Sequence, residues 1–189
     1  MSPARKKQPD RIKLLDVACG IRKADGATGI DRSVDSDADI IHDLNVFPWP
    51  IADESVEGAF ISHYVEHIPH YRPEWDHDGW WMFWQEMYRI LVHDAEVEII
   101  HPYSRNDRAF YDPTHTRYIH EMTWYYLDPG FREVNMLSHH CPNVDFEVVV
   151  VTGQNMAEEL LSRNADYQAW AHKFQFNTIA DLSVKLRKR

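Results

Sequence analysis

Short apolar runs, each ended by a polar or small-residue turn, recur along most of the chain. Runs of roughly four to eight residues that are rich in Val, Ile and Leu are typical of buried strands. On this basis the sequence predicts strands at 12–17, 28–31, 38–41, 56–62, 96–101 and 146–152. The run at 96–101 also alternates apolar with polar residues, which is the period of a strand with two unlike faces.

Helical spacing appears in two parts of the chain. One set of apolar residues recurs every three or four positions and predicts an amphipathic helix before the fifth strand: Trp80, Phe83, Trp84, Met87, Tyr88 and Leu91. A later helix is predicted to begin at Asn155, with Glu158 completing a capping arrangement. Further residues extend this helical pattern, so we expect a C-terminal helical segment over about 155–187: Trp170, Phe174, Ile179, Leu182 and Leu186.

Strands that alternate with helices predict an α/β fold with a doubly wound, mostly parallel sheet and helices on both faces. With 189 residues the chain has room for one domain, so we expect 1–189 to form it, with the core at about 12–152. Only 21–26 separates Gly20 from Ala27, whereas a parallel crossover needs about a dozen residues. The first crossover helix is therefore expected to be shortened or absent, which leaves one face of the sheet short of cover.

Composition limits the setting and the partners. No apolar run approaches the roughly 18 residues that span a bilayer, and no apolar segment follows the basic N-terminus as in a signal peptide. Two cysteines, Cys19 and Cys141, provide no disulfide framework, and Cys141 is expected to be a small buried apolar residue. We therefore expect a cytoplasmic protein with no membrane partner.

The charge distribution argues against one class of partner. The formal net charge is −10, and the positive charge is concentrated at the two ends of the chain, where it is expected to solubilise them. Duplex DNA binding requires Lys and Arg clustered against phosphates, so the acidic balance disfavours it.

Two neighbouring strand ends carry the candidate chemistry. Asp16-Val17-Ala18-Cys19-Gly20 leads from the first strand into a tight turn, and the second strand stops at Asp31. A carboxylate at such a strand end can accept hydrogen bonds from both hydroxyls of a ribose. A turn with one glycine lacks the row of glycine N–H groups that cradles a phosphate, so the pair favours a nucleoside ligand without one.

Several motifs occur in the order found in class I S-adenosylmethionine-dependent methyltransferases, and over about 12–130 the chain resembles that family. The matching segments are Leu15-Asp16-Val17-Ala18-Cys19-Gly20, Gly29-Ile30-Asp31, His42-Asp43-Leu44, Phe47-Pro48-Trp49-Pro50, Ser62-His63-x-x-Glu66-His67-Ile68 and Glu86-Met87-Tyr88-Arg89-Ile90-Leu91. The central motifs are similar to those of the group called methyltransferase type 11. Asp112-Pro113-Thr114-His115 resembles a motif of a small, poorly characterised branch that also shortens the first helix. The resemblance implies a Rossmann-like fold and S-adenosylmethionine as cofactor.

The resemblance also implies roles for individual residues. Asp16, Ala18 and Gly20 are expected to contact the methionine part, mostly by backbone, and Asp31 to accept from the ribose hydroxyls. Four further residues complete the expected cofactor site: Asp43 on the adenine amino group, Leu44 on the ring, and Ser62 and His63 at the methionine end. The family usually has a second glycine near Arg22, which this chain lacks.

Methyl transfer is an in-line displacement, so the protein mainly positions a nucleophile, with a base where the acceptor loses a proton. Five residues lie just after strands or in the polar loop 103–118 and are candidates to act near the methyl group: Glu66, His67, His101, Tyr103 and His115. Of these, His67 and His115 are the predicted catalytic residues. A structural role, in which these side chains hold loops by hydrogen bonds, remains open for each.

The acceptor stays open, with a small molecule favoured. The chain has Ser62-His63-Tyr64-Val65 where amino-directed DNA methyltransferases have Asn/Asp-Pro-Pro-aromatic, and the Pro-Cys of cytosine C5 enzymes is absent from that place. One alternative is a non-catalytic subunit of degenerate methyltransferase fold that binds the cofactor or a partner. The missing helix also suggests that a second copy or a companion subunit covers the exposed sheet face.

A second alternative is a metal-dependent hydrolase. His63, His67 and His70, with Asp76, His77 or Asp78 nearby, could supply the two histidines and the carboxylate that zinc hydrolases use. Pro69 interrupts any helix before His70, and the His-Glu-x-x-His order is absent. The sequence therefore predicts no metal site.

Overall fold

The computed structural model describes residues 11–139 and 143–189. Seven strands occur in these ranges: β1 Leu15–Val17, β2 Thr28–Asp31, β3 Ile40–Ile41, β4 Val56–Ser62, β5 Leu91–Pro102, β6 Phe146–Met156 and β7 Ile179–Lys188. The α-helices are α1 Gly79–Ile90, α2 Pro129–Val134, α3 Glu158–Leu161 and α4 Ala165–Phe174. Single-turn or short 3-10 helices lie at Val65–His67, Asp107–Ala109 and Glu121–Leu127.

All seven strands form one sheet in the order β3-β2-β1-β4-β5-β7-β6. The pairs from β3 to β5 are parallel, and β7 runs antiparallel to both of its neighbours, β5 and β6. The predicted mostly parallel, doubly wound sheet is confirmed. The strand order reverses at β1, because β2 and β3 lie on one side of it and β4 and β5 on the other.

The connections after β1, β2 and β3 contain no helix, so the prediction that the first crossover lacks one is confirmed. Right-handed crossovers place connections that run outward from β1 to β3 on one face of the sheet and the connection from β4 to β5 on the other. Helix α1 belongs to this last connection. In the described ranges the face opposite α1 therefore has no crossover helix of its own, where the sequence predicted helices on both faces.

The two faces of the sheet differ accordingly. Residues directly across from each other share a face, and the face that packs against α1 is apolar, with Val17, Ile61, Ile99, Val184 and Val151 in one row. The opposite face of β5, β7 and β6 carries paired charges: Lys185 with Glu96 and Glu98, and Arg187 with Glu96 and Glu147. This alternation is typical of a sheet with one buried and one solvated face.

Helix α1 forms where predicted, except that Leu91 begins β5, and it supplies the centre of the core. Asp78 caps it by accepting a hydrogen bond from the N–H of Trp80 (2.8 Å). Trp84 is fully buried and makes edge-on contacts with Trp124 and Phe146 at ring centroid distances of 5.6 Å. In the described ranges no helix is long and apolar enough to cross a membrane.

The predicted helical segment over 155–187 is wrong at both ends. Asn155 lies within β6, with φ of 54°, and its amide donates to Asp181 of β7 (2.8 Å). Helix α4 ends at Phe174, and Leu182 and Leu186 lie in the strand β7. These two leucines are four positions apart, a spacing that puts them on one side of either a helix or a strand. Other boundaries shift by a few residues, and Cys141 lies outside the described residues.

Candidate functional site

A cavity of about 510 Å³ opens at the carboxyl ends of β1, β2, β3 and β4, on the side where the strand order reverses. Ligands of open α/β sheets bind in this position. Its lining combines residues from all four strand ends with one from the polar loop: Ala18, Asp31, Arg32, Asp43, Leu44, Asn45, Tyr64, His67 and Thr114. Four of the predicted cofactor residues, Ala18, Asp31, Asp43 and Leu44, thus line one cavity.

The turn after β1 is tied to the end of β2. Ala18 and Gly20 both have positive φ (58° and 54°), which folds the chain back tightly. The N–H of Gly20 donates to Oδ2 of Asp31 (3.0 Å), and the N–H of Ser33 donates to Oδ1 (2.8 Å). These two bonds hold Asp31 in place, and since a carboxylate oxygen can accept two hydrogen bonds, each oxygen still has capacity for a ligand.

Asp16 lies beneath this turn instead of lining the cavity. It is almost fully buried, and its Oδ2 accepts a hydrogen bond from the N–H of Ala24 (2.7 Å). Burial raises the pKa of Asp16, and the hydrogen bond and the Lys23 ammonium oppose that shift only in part. Asp16 therefore holds the short loop that replaces the first crossover helix.

The far end of the cavity is formed by the segment after β3. Asp43 accepts hydrogen bonds from the backbone and side-chain N–H groups of Asn45 (2.9 and 3.0 Å). Burial acts to raise the pKa of Asp43, but these bonds and the guanidinium groups of Arg72 and Arg32 hold it below its ordinary value. The next residue, Leu44, is buried and places an apolar side chain beside this ionised carboxylate.

A second, smaller cavity of about 210 Å³ adjoins the first. Its lining is histidine-rich and polar: His63, Glu66, His67, Pro102, Arg108, Tyr111, Asp112 and His115. His67 lines both cavities, and its ring lies edge-on to that of His115 at a centroid distance of 4.8 Å. The structure therefore brings the two predicted catalytic histidines together at the boundary of the cofactor-sized cavity.

Docking of a loop onto the 3-10 turn brings these histidines together. The backbone N–H groups of Thr116 and Arg117 both donate to the carbonyl oxygen of Glu66 (2.9 and 3.0 Å). Arg117 also donates to the carbonyl oxygen of Ile68 (2.7 Å). Loop residues around His115 are thereby fixed against the segment that carries His67.

Glu66, one of the five candidates near the methyl group, is buried at this site. It is 2% exposed, and neither carboxylate oxygen has a hydrogen-bond partner. Its charged neighbour is His63, whose Nδ1 lies 3.4 Å from Oε1. This ion pair raises the pKa of His63, against the effect of burial.

Two residues expected at the methionine end of a cofactor lie elsewhere. His63 lines the second cavity, with φ of 54°. Ser62 ends β4 and lines neither of the two cavities.

The remaining candidates have structural partners. His70 uses both ring nitrogens elsewhere, with the carbonyl oxygen of Thr116 (2.9 Å) and with Asp78 (3.2 Å). The set His63, His67 and His70 is therefore not assembled as a metal site. His101 is fully buried between the carbonyl oxygen of Pro102 and the indole N–H of Trp124, and burial lowers its pKa to about 4.

Sequence reasoning missed several residues of the site, among them Arg32, Asn45, Tyr64 and Thr114. Tyr64 follows His63 directly at a strand end, and that position alone could have identified it. Thr114 lies far along the chain, and only the docking of its loop brings it to the cavity.

Comparisons with known proteins agree with the sheet topology. No protein-family model matches the chain, and no curated protein matches it. Among solved structures, a SAM-dependent methyltransferase from Archaeoglobus fulgidus is similar at 18% identity, with a TM-score of 0.57 over 95% of this chain and 87% of that one. A chain of the complex between the Haloferax volcanii Trm112 methyltransferase activator and a methyltransferase is similar at 13% identity, TM-score 0.54, over 95% and 84%.

A third similar structure is that of the (4+2) cyclase SpnF, at 15% identity and TM-score 0.53, over 95% of this chain and 75% of that one. Likeness at these identities shows the fold, which is that of class I S-adenosylmethionine-dependent methyltransferases. The cyclase illustrates that a fold hosts more than one activity, so function has to be argued from the site.

Proposed function

Starting from this fold, we propose that the chain is an S-adenosylmethionine-dependent methyltransferase whose cofactor occupies the 510 Å³ cavity. The observation that carries the proposal is Asp31, a carboxylate fixed by Gly20 and Ser33 that retains unused acceptor capacity at the mouth of the cavity. The volume lies within the roughly 300–1,000 Å³ of small-molecule sites. Its two carboxylates, Asp31 and Asp43, outnumber its one guanidinium, Arg32, and this favours a nucleoside without phosphates.

Different residues of the chain would bind different parts of the cofactor. Asp31 accepts from the two ribose hydroxyls, Asp43 accepts from the adenine amino group, and Leu44 packs on the ring. Ala18 and Gly20 contact the methionine part by backbone, and Asp16 supports their turn through Ala24. When bound, S-adenosylmethionine supplies an electrophilic methyl group on a sulfonium.

The second cavity is the proposed acceptor side. His67 lines both cavities, so an acceptor held against His67 and His115 would lie beside a cofactor bound in the first. The imidazoles are placed to contact the nucleophile and, where their ring nitrogens are free, to take its proton. A volume of about 210 Å³ favours a small molecule as acceptor.

Cofactor binding is tested by calorimetry with S-adenosylhomocysteine on the full chain and on Asp31→Ala. Loss of hydrogen bonds to a charged group is worth about 1–3 kcal/mol, so the affinity of the variant should fall by roughly 5- to 150-fold. Asp35→Ala removes the same charge from the same loop without touching the cavity, and it should bind as the parent does. Equal affinities for all three proteins would place the ribose elsewhere.

Transfer itself needs a separate measurement, because a non-catalytic subunit would also bind the cofactor. Radiolabelled S-adenosylmethionine is incubated with small molecules bearing hydroxyl, amine or thiol groups, with protein and with nucleic-acid ends. The proposal expects label in one acceptor class, and His115→Ala should reduce that transfer. Binding with no transfer to any class would favour the non-catalytic alternative.

A further inference from the structure

Three side chains outside the proposed cofactor cavity converge like ligands. One ligand atom from each of Glu66, His67 and His115 lies within 4.8 Å of the others. In the described part of the chain, these three form the group of His, Cys, Asp or Glu side chains close enough together to hold a metal ion. All three line the 210 Å³ cavity. A tetrahedral ion with bonds of about 2.1 Å separates its ligand atoms by about 3.4 Å, so the side chains need to close by about 1.4 Å at most.

The carboxylate of Glu66 indicates that something is bound between these side chains. It is 2% exposed, and both oxygens lack a hydrogen-bond partner. A buried carboxylate that accepts no hydrogen bond is costly even beside a histidine, and its presence in a folded protein calls for an ion or a solvent molecule. His63 at 3.4 Å is beyond the usual hydrogen-bond distance and approaches only Oε1. Oε2 therefore has no described partner, and Glu66 lines the cavity.

The two imidazoles are oriented as metal ligands are. Nδ1 of His115 lies 3.0 Å from the carbonyl oxygen of Ala109, and Nδ1 of His67 lies 3.3 Å from that of Thr114. A carbonyl oxygen only accepts, so both Nδ1 atoms carry the proton and both Nε2 atoms present a lone pair. Histidine ligands in metal sites are held by the same second contact to a backbone carbonyl.

A further contact fixes this outer layer. Asp112 accepts from both the N–H (2.8 Å) and the hydroxyl (2.6 Å) of Thr114, whose carbonyl holds His67. Its other oxygen, Oδ2, is 3.8 Å from Nε2 of His115, too far for a hydrogen bond. Asp112 therefore acts on the orientation of the histidines through Thr114 and adds negative charge beside the cavity.

We propose that Glu66, His67 and His115 bind a divalent transition-metal ion of the zinc type. Two imidazole nitrogens and one carboxylate oxygen suit zinc, and three protein ligands leave a position open for water or substrate. Magnesium and calcium prefer all-oxygen sites and do not match this set. The open position faces a cavity that shares His67 with the proposed cofactor site. In the metal-loaded protein an acceptor would meet the ion, and this last point alone rests on the proposed function.

The test uses the full chain stripped by a chelator and dialysed, titrated with zinc chloride by calorimetry. The site predicts one equivalent, and Glu66→Gln or His115→Ala should weaken it by more than about 100-fold, the upper end of what an outer-layer change costs. His93→Ala removes an exposed histidine that pairs with Asp94, and it should leave the affinity unchanged. Magnesium chloride should give no binding. Zinc affinity that survives Glu66→Gln and His115→Ala, or that depends on His70, overturns the proposal.

Glu66→Gln also separates ligand loss from unfolding. Without metal it removes the charged partner of His63, so a cooperative unfolding transition in chelator is recorded first, to show that the variant folds. Zinc should then raise the unfolding temperature of the parent and not of the variant. Substitution of cobalt should give visible absorption bands that the variant lacks. None of these readouts involves S-adenosylmethionine, so failure of cofactor binding would leave the metal site standing.

Discussion

The histidines of this chain lie in chemically different surroundings. His115 lines a cavity, His63 pairs with a buried carboxylate, and His101 is buried away from solvent with both nitrogens used. The side chains are chemically identical, so their environments alone decide which of them binds, which ionises and which only packs.

Of these, His101 predicts a pH dependence of stability. Its pKa is about 4 in the fold, whereas an exposed histidine titrates near 6.5, so below about pH 6.5 the unfolded chain binds a proton that the folded chain does not. The free energy of unfolding should therefore fall by about 3 kcal/mol as pH drops from above 6.5 to 4. Denaturant unfolding at a series of pH values measures this, and His101→Gln should show a smaller slope. The same slope in both proteins would contradict it.

At this scale the sequence identified residues whose position depends on the local chain. Ala18, Asp31, Asp43 and Leu44 follow strands directly, and parallel strands bring their ends together without further information. The sequence named Glu66 and His115 as candidates, but strand ends alone do not fix the contact between them. The isolation of Glu66 and its nearness to His115 depend on two backbone hydrogen bonds to a loop about 50 positions away.

Among the elements, α1 and the 3-10 helix Glu121–Leu127 pack through tryptophans. Trp84 of α1 contacts Trp80, Phe83, Trp124 and Phe146. The helical position and the burial of Trp84 were both predictable, because the apolar residues around it recur every three or four positions and do not alternate as in a strand. The aromatic partners from distant segments were not, since nothing in 121–127 specifies which helix it meets.

Two tryptophan substitutions compare a core position with a surface one. Trp84→Ala should lower the free energy of unfolding by about 3–5 kcal/mol, because it leaves a cavity among four aromatic rings. Trp170 of α4 is 47% exposed and contacts Tyr167 and Phe174, so Trp170→Ala should cost about 1 kcal/mol or less. Chemical denaturation of both variants gives the comparison. Equal losses would mean that α4 is buried against something else.

The segment 155–187 shows where pattern reading fails for an element. Ile179, Leu182, Val184 and Leu186 are buried, and only Val184 distinguishes the strand period from the helical one. The antiparallel insertion of β7 between β5 and β6 is a long-range pairing that local spacing does not encode.

For the whole molecule, the solvated face of the sheet follows from the short connections at the start of the chain. The sequence predicted the missing first helix from a count of residues, and the exposed face follows from the right-handed crossover rule. The charged rows of β5, β7 and β6 extend this face to the edge strand. A companion subunit or second copy covering it remains a prediction.

Reversing one charge tests whether this face meets water. Lys185 pairs with both Glu96 and Glu98, so Lys185→Glu places like charges across neighbouring strands and should lower the unfolding temperature. On a solvated face the loss should shrink markedly between 0.05 and 1 M salt, because exposed charges are screened. Lys13→Glu, outside the ladder, controls for net charge. A loss that does not change with salt would indicate a covered, desolvated face.

The position of β7 between β5 and β6 has a consequence for how the chain reaches its fold. Glu96 of β5 and Arg187 of β7 are 91 positions apart, yet they are direct partners across the sheet. Contacts of such long sequence separation are slow to form, because a large loop must close before any pairing compensates it. Until that closure, β5 and β6 each present a bare hydrogen-bonding edge, which is where self-association of folding intermediates begins. The same strand that unites the sheet therefore sets the interval during which the chain is most exposed to aggregation.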